Sequence, residues 1–345
     1  MGNAKVLSAG PVILDVAGTE LSAEDRELLT HPNVGGVILF ARNTKTAEQT
    51  AHLCRNIKNI RENLLICIDQ EGGRVQRLTE GVTTIPPMAS LSKLYQQSAE
   101  KGLSLARELG WLLAFELRTC GIDNTLAPVL DLDDNQNPAI GSRSFSIDPL
   151  TTLALAESFI LGMNEASMQA VGKHFPGHGF VKVDSHIDLP RDHRPLAEIA
   201  ARDLVPFEQL IKKSCLAGVM PAHIVFEDVD ANPVGFSALW LKDILRKRYG
   251  FNGLIFSDDL NMAGAKLAGG YLAAAATALT AGCDFVLMCN NRSGATEIVD
   301  GLDGFALSKQ ALTIKKTMLC HGSYEFNPQL SQRRMNILER LANEL

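Results

Sequence analysis

Charge is scarce in this chain. Only 21% of its 345 residues are Asp, Glu, Lys or Arg, while 46% are hydrophobic. A disordered segment needs the opposite balance, so the sequence describes a folded protein. Positive charge is not in excess: 33 basic against 39 acidic residues leave a formal net charge of -6. A protein that neutralises nucleic-acid phosphates is usually basic, so no nucleic-acid partner is expected. Long apolar runs are missing too. None reaches the roughly 18 residues that a membrane span needs, and the opening MGNAKVLSAGPVILDVAG has no basic start followed by a long apolar core. No membrane partner is expected. Among the seven cysteines, at 54, 67, 120, 215, 283, 289 and 320, there is no CxxC pair. Cys67 in LLICID and Cys283 in AGCDFVLMC sit in apolar runs and read as buried free thiols, which fits a reducing cytoplasm better than export. Neither GxGxxG nor GxxxxGK[ST] occurs, so the usual glycine-rich phosphate turns are absent.

What is present is a recurring short apolar run that ends in a polar residue. The runs are VILDV (12–16), VGGVILF (34–40), LLICID (64–69), NTLAPVLDL (124–132), QAVGKHF (169–175), LAGVMPA (216–222), GLIFSDD (253–259) and DFVLMC (284–289). Runs of this length, bounded by Gly or polar residues, predict strands buried on both faces. Helical patterns separate most of them. Thr46 with Gln49 reads as a capping box, Ser98 opens a segment that ends at Cys120, and Asp148-Pro149 is an N-cap with its first-turn proline. Ser237 is expected to cap ALWLKDILRKRY, YLAAAATALTA (271–281) stops at Gly282, and 328–345 reads as an amphipathic tail helix. Eightfold strand–helix alternation predicts an α/β fold, a TIM-type (β/α)8 barrel, over an open doubly wound sheet. No linker or low-complexity segment divides the chain. One domain over 1–345 is expected, with C-terminal helices from about 306.

In a parallel barrel the active site lies at the C-terminal ends of the strands. Asp69, Asp131, Lys173-His174, His223, Asp258-Asp259 and Asn290-Asn291-Arg292 all fall there. Any one of these reads equally well as a strand cap or a paired structural charge. Six together point to a shared polar cleft, because unpaired charges avoid interiors. Asp258 and Asp259 are neighbours, and in extended backbone they face opposite ways. One can face the cleft while the other pairs with backbone or a cation, so the second catalytic group must come from elsewhere. The longest irregular stretch, 175–196, holds Asp184-Ser185-His186, which places a carboxylate and an imidazole on one side of an extended segment. That pairing suits a proton shuttle. His174, His178 and His186 also invite a metal reading, but Pro176 and Gly177 argue against the helix that an HxxxH pair needs. The shuttle ranks above the metal, and no metal or cofactor is expected.

The segments IDQEGGRVQRL (68–78), APVLDLD (127–133), IGSRSF (140–145), GKHFPGHG (172–179), DSH (184–186) and GLIFSDDLNMAGA (253–265), in this order, resemble the family 3 glycoside hydrolases. Within that family the chain is most similar to the bacterial β-N-acetylhexosaminidases that recycle cell-wall fragments. The likeness runs to about AGCDFVLMCNNR (281–292) and extends to the short cytoplasmic forms. The resemblance implies Asp258 as nucleophile, His186 as acid/base held by Asp184, and Asp69, Arg77, Arg143, Lys173 and His174 as the sugar-binding set. Arg74 and His223 are second-tier. It also implies a retaining, exo-acting enzyme and a substrate such as GlcNAc-1,6-anhydro-MurNAc, with or without peptide. A small-molecule partner and a monomer are expected. Two departures stand out. Ser142 occupies the position where the family pattern has Asp, which leaves open how Arg143 is held, and Pro221 replaces a commoner Thr. A metal-dependent barrel hydrolase, a non-enzymatic sugar-binding barrel and a phosphorylase using phosphate in place of water remain as alternatives.

Overall fold

The computed structural model describes residues 9–134, 137–181, 190–262, 269–320 and 328–345. Each of the eight apolar runs contains a strand: β1 (Val12–Leu14), β2 (Val34–Leu39), β3 (Leu65–Ile68), β4 (Asn124–Thr125), β5 (Val171–Phe175), β6 (Gly218–Pro221), β7 (Leu254–Asp259) and β8 (Phe285–Met288). They form one parallel sheet in which β1 to β4 and β5 to β8 pair in chain order and β1 pairs with β8. A bridge between Val129 and Lys173 links the end of the fourth run to β5, so the sheet closes on itself. The architecture is the expected (β/α)8 barrel.

The strands read as continuous apolar runs because both their faces are buried. Ile13, Ile38, Leu65, Cys67, Leu126, Val171, Met220, Leu254 and Phe256 point into the barrel, where Phe256 stacks on Phe285 at 5.2 Å. The alternate positions, among them Val12, Leu14, Val37, Leu39, Ile66 and Ile68, pack outward against helices. Gly36 lies where β2 and β3 approach closely, since a Cβ there would come within 2.5 Å of the Leu65 carbonyl oxygen.

Two local expectations need correction. The fourth run is not one strand over 124–132. Its regular part ends at Thr125, because Pro128 has no N–H for the ladder. The chain beyond still donates and accepts across to β5, with Leu130 N–H on the Lys173 carbonyl at 2.7 Å and Val171 N–H on the Ala127 carbonyl at 2.8 Å. The second correction concerns Thr46 and Gln49. Thr46 does cap the helix Ala47–Ile60, but the Gln49 amide accepts from Lys45 N–H at 2.8 Å, one residue before the cap, so the reciprocal half of the box is missing.

The other caps fall where predicted. Ser98 and Asp148 accept from Lys101 and Thr151 N–H at the starts of the helices Ala99–Thr119 and Pro149–Glu165. Ser237 Oγ accepts from Trp240 N–H at 3.1 Å, although the segment Leu239–Arg248 winds as a π-helix. The helix Lys309–Met318 closes the N-terminal end of the barrel, where Ala311 and Met318 join the interior cluster. The tail helix Pro328–Glu344 lies along Ala99–Thr119, joined by Arg333 to Glu108 at 2.8 Å and Arg334 to Glu116 at 2.7 Å. Among the described residues, no helix is long and apolar enough to cross a membrane.

Candidate active site

At the C-terminal end of β3 the chain turns into a two-stranded hairpin, Gln70–Gly72 against Val75–Gln76. Gly72 and Gly73, with φ of 104° and 57°, make the turn in a region that side chains rarely adopt. A Cβ at Gly72 would also lie 2.7 Å from the Pro86 carbonyl oxygen. Gln70 pins the hairpin from inside: its Oε1 accepts from Arg77 and Leu78 N–H at 2.8 and 3.1 Å. Sequence spacing and this turn together place Asp69, Glu71, Arg74 and Arg77 around the mouth of the barrel.

A web of ion pairs joins these residues to β5 and to the short turn Gly141–Arg143. Lys173, on β5, lies 2.8 Å from Asp69 Oδ1 and 2.6 Å from Glu71 Oε1. Glu71 also takes both Nε and Nη2 of Arg143, at 2.7 and 2.8 Å. Arg77 approaches Asp69 at 3.7 Å. Burial alone would push the Glu71 carboxyl up, but Lys173 and Arg143 outweigh it and hold it well below the usual carboxylate range. Burial likewise opposes the charge on Lys173, and Asp69 and Glu71 reverse that, so its ammonium is strengthened. The position of Ser142 is thereby explained. Ser142 is exposed, and Arg143 is held instead by Glu71 and by the Ala139 carbonyl at 2.8 Å.

The GKHFPGHG segment forms a turn around Asp131. Asp131 Oδ1 accepts the backbone N–H groups of His174 and His178, at 3.1 and 2.8 Å, while Oδ2 lies 2.7 Å from His174 Nδ1. Gly179 allows the close return of the chain, since a Cβ there would lie 1.6 Å from the Leu132 carbonyl oxygen. The two imidazoles meet edge to face at 5.6 Å. No group of three or more His, Cys, Asp or Glu side chains suited to a metal ion occurs among the described residues.

At the end of β7 both neighbouring aspartates line the same cavity, but their partners differ. Asp259 turns to backbone: its Oδ1 accepts from Asn261 and Cys289 N–H at 2.9 and 3.0 Å. Burial pushes its pKa up to about 6, with those two N–H groups opposing the shift and the Asp258 charge adding to it. Asp258 borders the cavity, with the Asp259 N–H on its Oδ1 at 2.8 Å.

These groups line one cavity of about 460 Å³, a volume in the range of small-molecule sites. Asp69, Arg77, Arg143, Lys173, His174 and Asp258 all face it, and so does Arg74, which also grips the Pro138 and Ala139 carbonyls. His223 does not line it; its Nε2 lies 3.2 Å from the Asp259 carbonyl oxygen, beneath the strand end. Asp184 and His186 lie outside the described residues.

A barrel of this topology, with these motifs converging on one mouth, matches a known family. The glycosyl hydrolase family 3 N-terminal domain model covers residues 10–319. The chain is a family 3 glycosyl hydrolase. It is 53% identical over 294 residues to a beta-hexosaminidase of Tolumonas auensis, covering 85% of this chain and 86% of that one. A beta-hexosaminidase of Thiobacillus denitrificans is 50% identical over 298 residues, covering 86% of this chain and 83% of that one. Among solved structures, NagZ from Neisseria gonorrhoeae in complex with N-trifluoroacetyl-D-glucosamine superposes with a TM-score of 0.90 at 39% identity, covering 96% of this chain and 98% of that one.

Sequence reasoning did not assign site roles to Glu71, Asp131, Asn137 or His178 in this glycosyl hydrolase. Glu71 had a signal: two residues after Asp69 in an extended run, it shares Asp69's face. Asp131 stood out at a strand end without an identified partner. Asn137 had no signal at all, because its role depends on an imidazole 41 residues away.

Proposed function

We propose that this glycosyl hydrolase is a retaining, exo-acting β-N-acetylglucosaminidase that removes terminal GlcNAc from peptidoglycan fragments such as GlcNAc-1,6-anhydro-MurNAc, with or without peptide. Asp258 attacks the anomeric carbon as the bond to the aglycone oxygen breaks, and that oxygen takes its proton from His186. Water then attacks the glycosyl ester, His186 takes the water's proton, and Asp258 leaves as carboxylate. Asp184 orients His186. Asp69, Arg77, Arg143, Lys173 and His174 hold the sugar.

The observation that carries this reading is the division of labour among the carboxylates at the cavity. Asp69 and Glu71 are engaged by Lys173, and Asp259 by two backbone N–H groups; Asp258, at the end of β7, lines the same cavity and accepts the Asp259 N–H at 2.8 Å. Two carboxylates about 5–5.5 Å apart serve most retaining glycosidases. With the other acids committed, a histidine in the acid/base role is the economical alternative, because imidazole titrates near 6.5 unaided. The likeness to a structure holding an N-acylglucosamine derivative supports the choice of sugar.

Product analysis on purified muropeptides tests the reading. The parent protein is expected to release free GlcNAc in the β configuration, in the same yield with and without phosphate. His186→Ala and Asp258→Ala are each expected to lose at least about 100-fold in kcat. Initial release of the α anomer would contradict retention, and a sugar phosphate as product would replace hydrolysis by phosphorolysis.

A further inference from the structure

The amide of Asn137 determines more than the shape of its loop. Its Oδ1 accepts the Ala139 N–H at 2.8 Å, so the other terminal atom is the NH2 group. That NH2 lies 2.9 Å from the His178 carbonyl oxygen and 2.7 Å from His178 Nδ1. A group that only donates requires an acceptor, so Nδ1 carries the lone pair and the ring hydrogen belongs on Nε2. The backbone of His178 is fixed as well, by its N–H on Asp131. With the Nδ1 edge turned to Asn137, the opposite edge of this buried ring faces the cavity that His178 lines.

We propose that His178 is a tautomer-locked, electrically neutral Nε2–H donor on the Asp258 side of the cavity, and that Asn137 is the positioning residue that keeps it so. This rests on the reading of the cavity as a glycosidase site with Asp258 as nucleophile. Among the described residues, the charged and titratable groups that act on the ring are His174, Asp131 and Asp258. Burial and His174 lower its pKa to about 4, against the opposing pull of the two aspartates. The hydrogen bond from Asn137 acts in the same direction, because protonating Nδ1 would set two donors against each other.

Neutrality has a chemical use at this place. The anomeric carbon becomes electron-deficient in an oxocarbenium-like transition state. A charged imidazolium beside it would oppose that development and would weaken the nucleophilic carboxylate. A neutral N–H orients an oxygen at neither cost. His174 differs in kind: its Nδ1 is on a carboxylate, so Nδ1 is the protonated nitrogen there and its Nε2 is the acceptor when the ring is neutral. The HxxxH pair that resembles a metal site in sequence is thus a pair of rings with different partners at Nδ1, the Asp131 carboxylate for His174 and the Asn137 amide for His178.

Long-range 1H–15N spectra of the ligand-free protein from pH 5 to 8 test this, with His178 assigned by the loss of its signals in His178→Gln or, should that variant not fold, through its backbone. The expected result is the Nε2–H tautomer with no titration in that window. An Nδ1–H tautomer, or a titration midpoint inside the window, overturns the proposal. Asn137→Asp places an acceptor at Nδ1. It is expected to bring the His178 titration into the window and to lower kcat about tenfold where the ring is charged, with KM little changed. A His178 that titrates in Asn137→Asp while kcat keeps the parent pH profile overturns the assigned use of neutrality. The tautomer is read without substrate. Failure there leaves the glycosidase reading standing, while correct spectra in a protein that cleaves no β-GlcNAc would sink that reading alone.

Discussion

Glu71 is the residue on which the cation pair of the cavity depends. It is buried, it bonds to both Lys173 and Arg143, and these two cations are themselves almost fully enclosed. Removing one member of such a web leaves uncompensated charge in a poorly solvated place, at a cost of about 3–5 kcal/mol. Glu71→Gln keeps the shape and loses the charge. It is expected to lower kcat/KM for a chromogenic β-GlcNAc glycoside on the order of 100-fold, chiefly through KM, as Lys173 and Arg143 turn toward Asp69. An unchanged KM would show that the two cations keep their places without it. The web also shows what a sequence holds and withholds at this scale. Asp69 and Lys173 could be singled out by motif and by strand-end position, and Arg143 by motif alone. That one glutamate joins residues 72 and 102 positions further along the chain follows only from the closed barrel. The orientation of the Asn137 amide is likewise set by a backbone N–H and a ring that only the fold brings together.

At the scale of elements, the helix Lys309–Met318 carries an unusual burden. Lys315 is 2% exposed, lies 6.0 Å from the Phe285 ring, and its Nζ has no hydrogen-bond partner among the described residues. Burial lowers its pKa from 10.5 to about 7, with Arg61 and Lys58 adding to the shift. Between those values the unfolded chain binds a proton that the folded chain does not, so stability rises with pH from about 7 toward 10.5. Below that window both states are charged, and the folded state bears the full penalty. Lys315→Met is therefore expected to stabilise the protein by roughly 2–4 kcal/mol at pH 7, and by much less at pH 10. Urea unfolding at the two pH values measures it, and an equal difference at both would show that charge at position 315 is not the cause. Element boundaries were legible wherever a local signal sets them, as at Ser98, Asp148 and Gly282. They were misread where a single missing N–H decides, as at Pro128, or where a side chain chooses between adjacent backbone donors, as Gln49 does.

At the scale of the molecule, the barrel was legible because its strands are buried on both faces and so appear as unbroken apolar runs. The shared cleft was legible because ionisable residues recur at the C-terminal ends of those runs. The outward residues explain the surrounding helices, and above the inward ones, opposite the helix Lys309–Met318, lies the cavity of about 460 Å³ where the polar residues gather. The catalytic assignment adds one claim to this framework: of the acids gathered there, Asp258 forms the covalent bond to the sugar. Trapping with a 2-fluoro glycosyl donor followed by peptide mass spectrometry tests that claim most directly. The account predicts one fluorosugar on the peptide that contains Asp258, at the Asp258 side chain and not at Asp259. A label on any other residue, or no label while the protein turns over substrate, would contradict it.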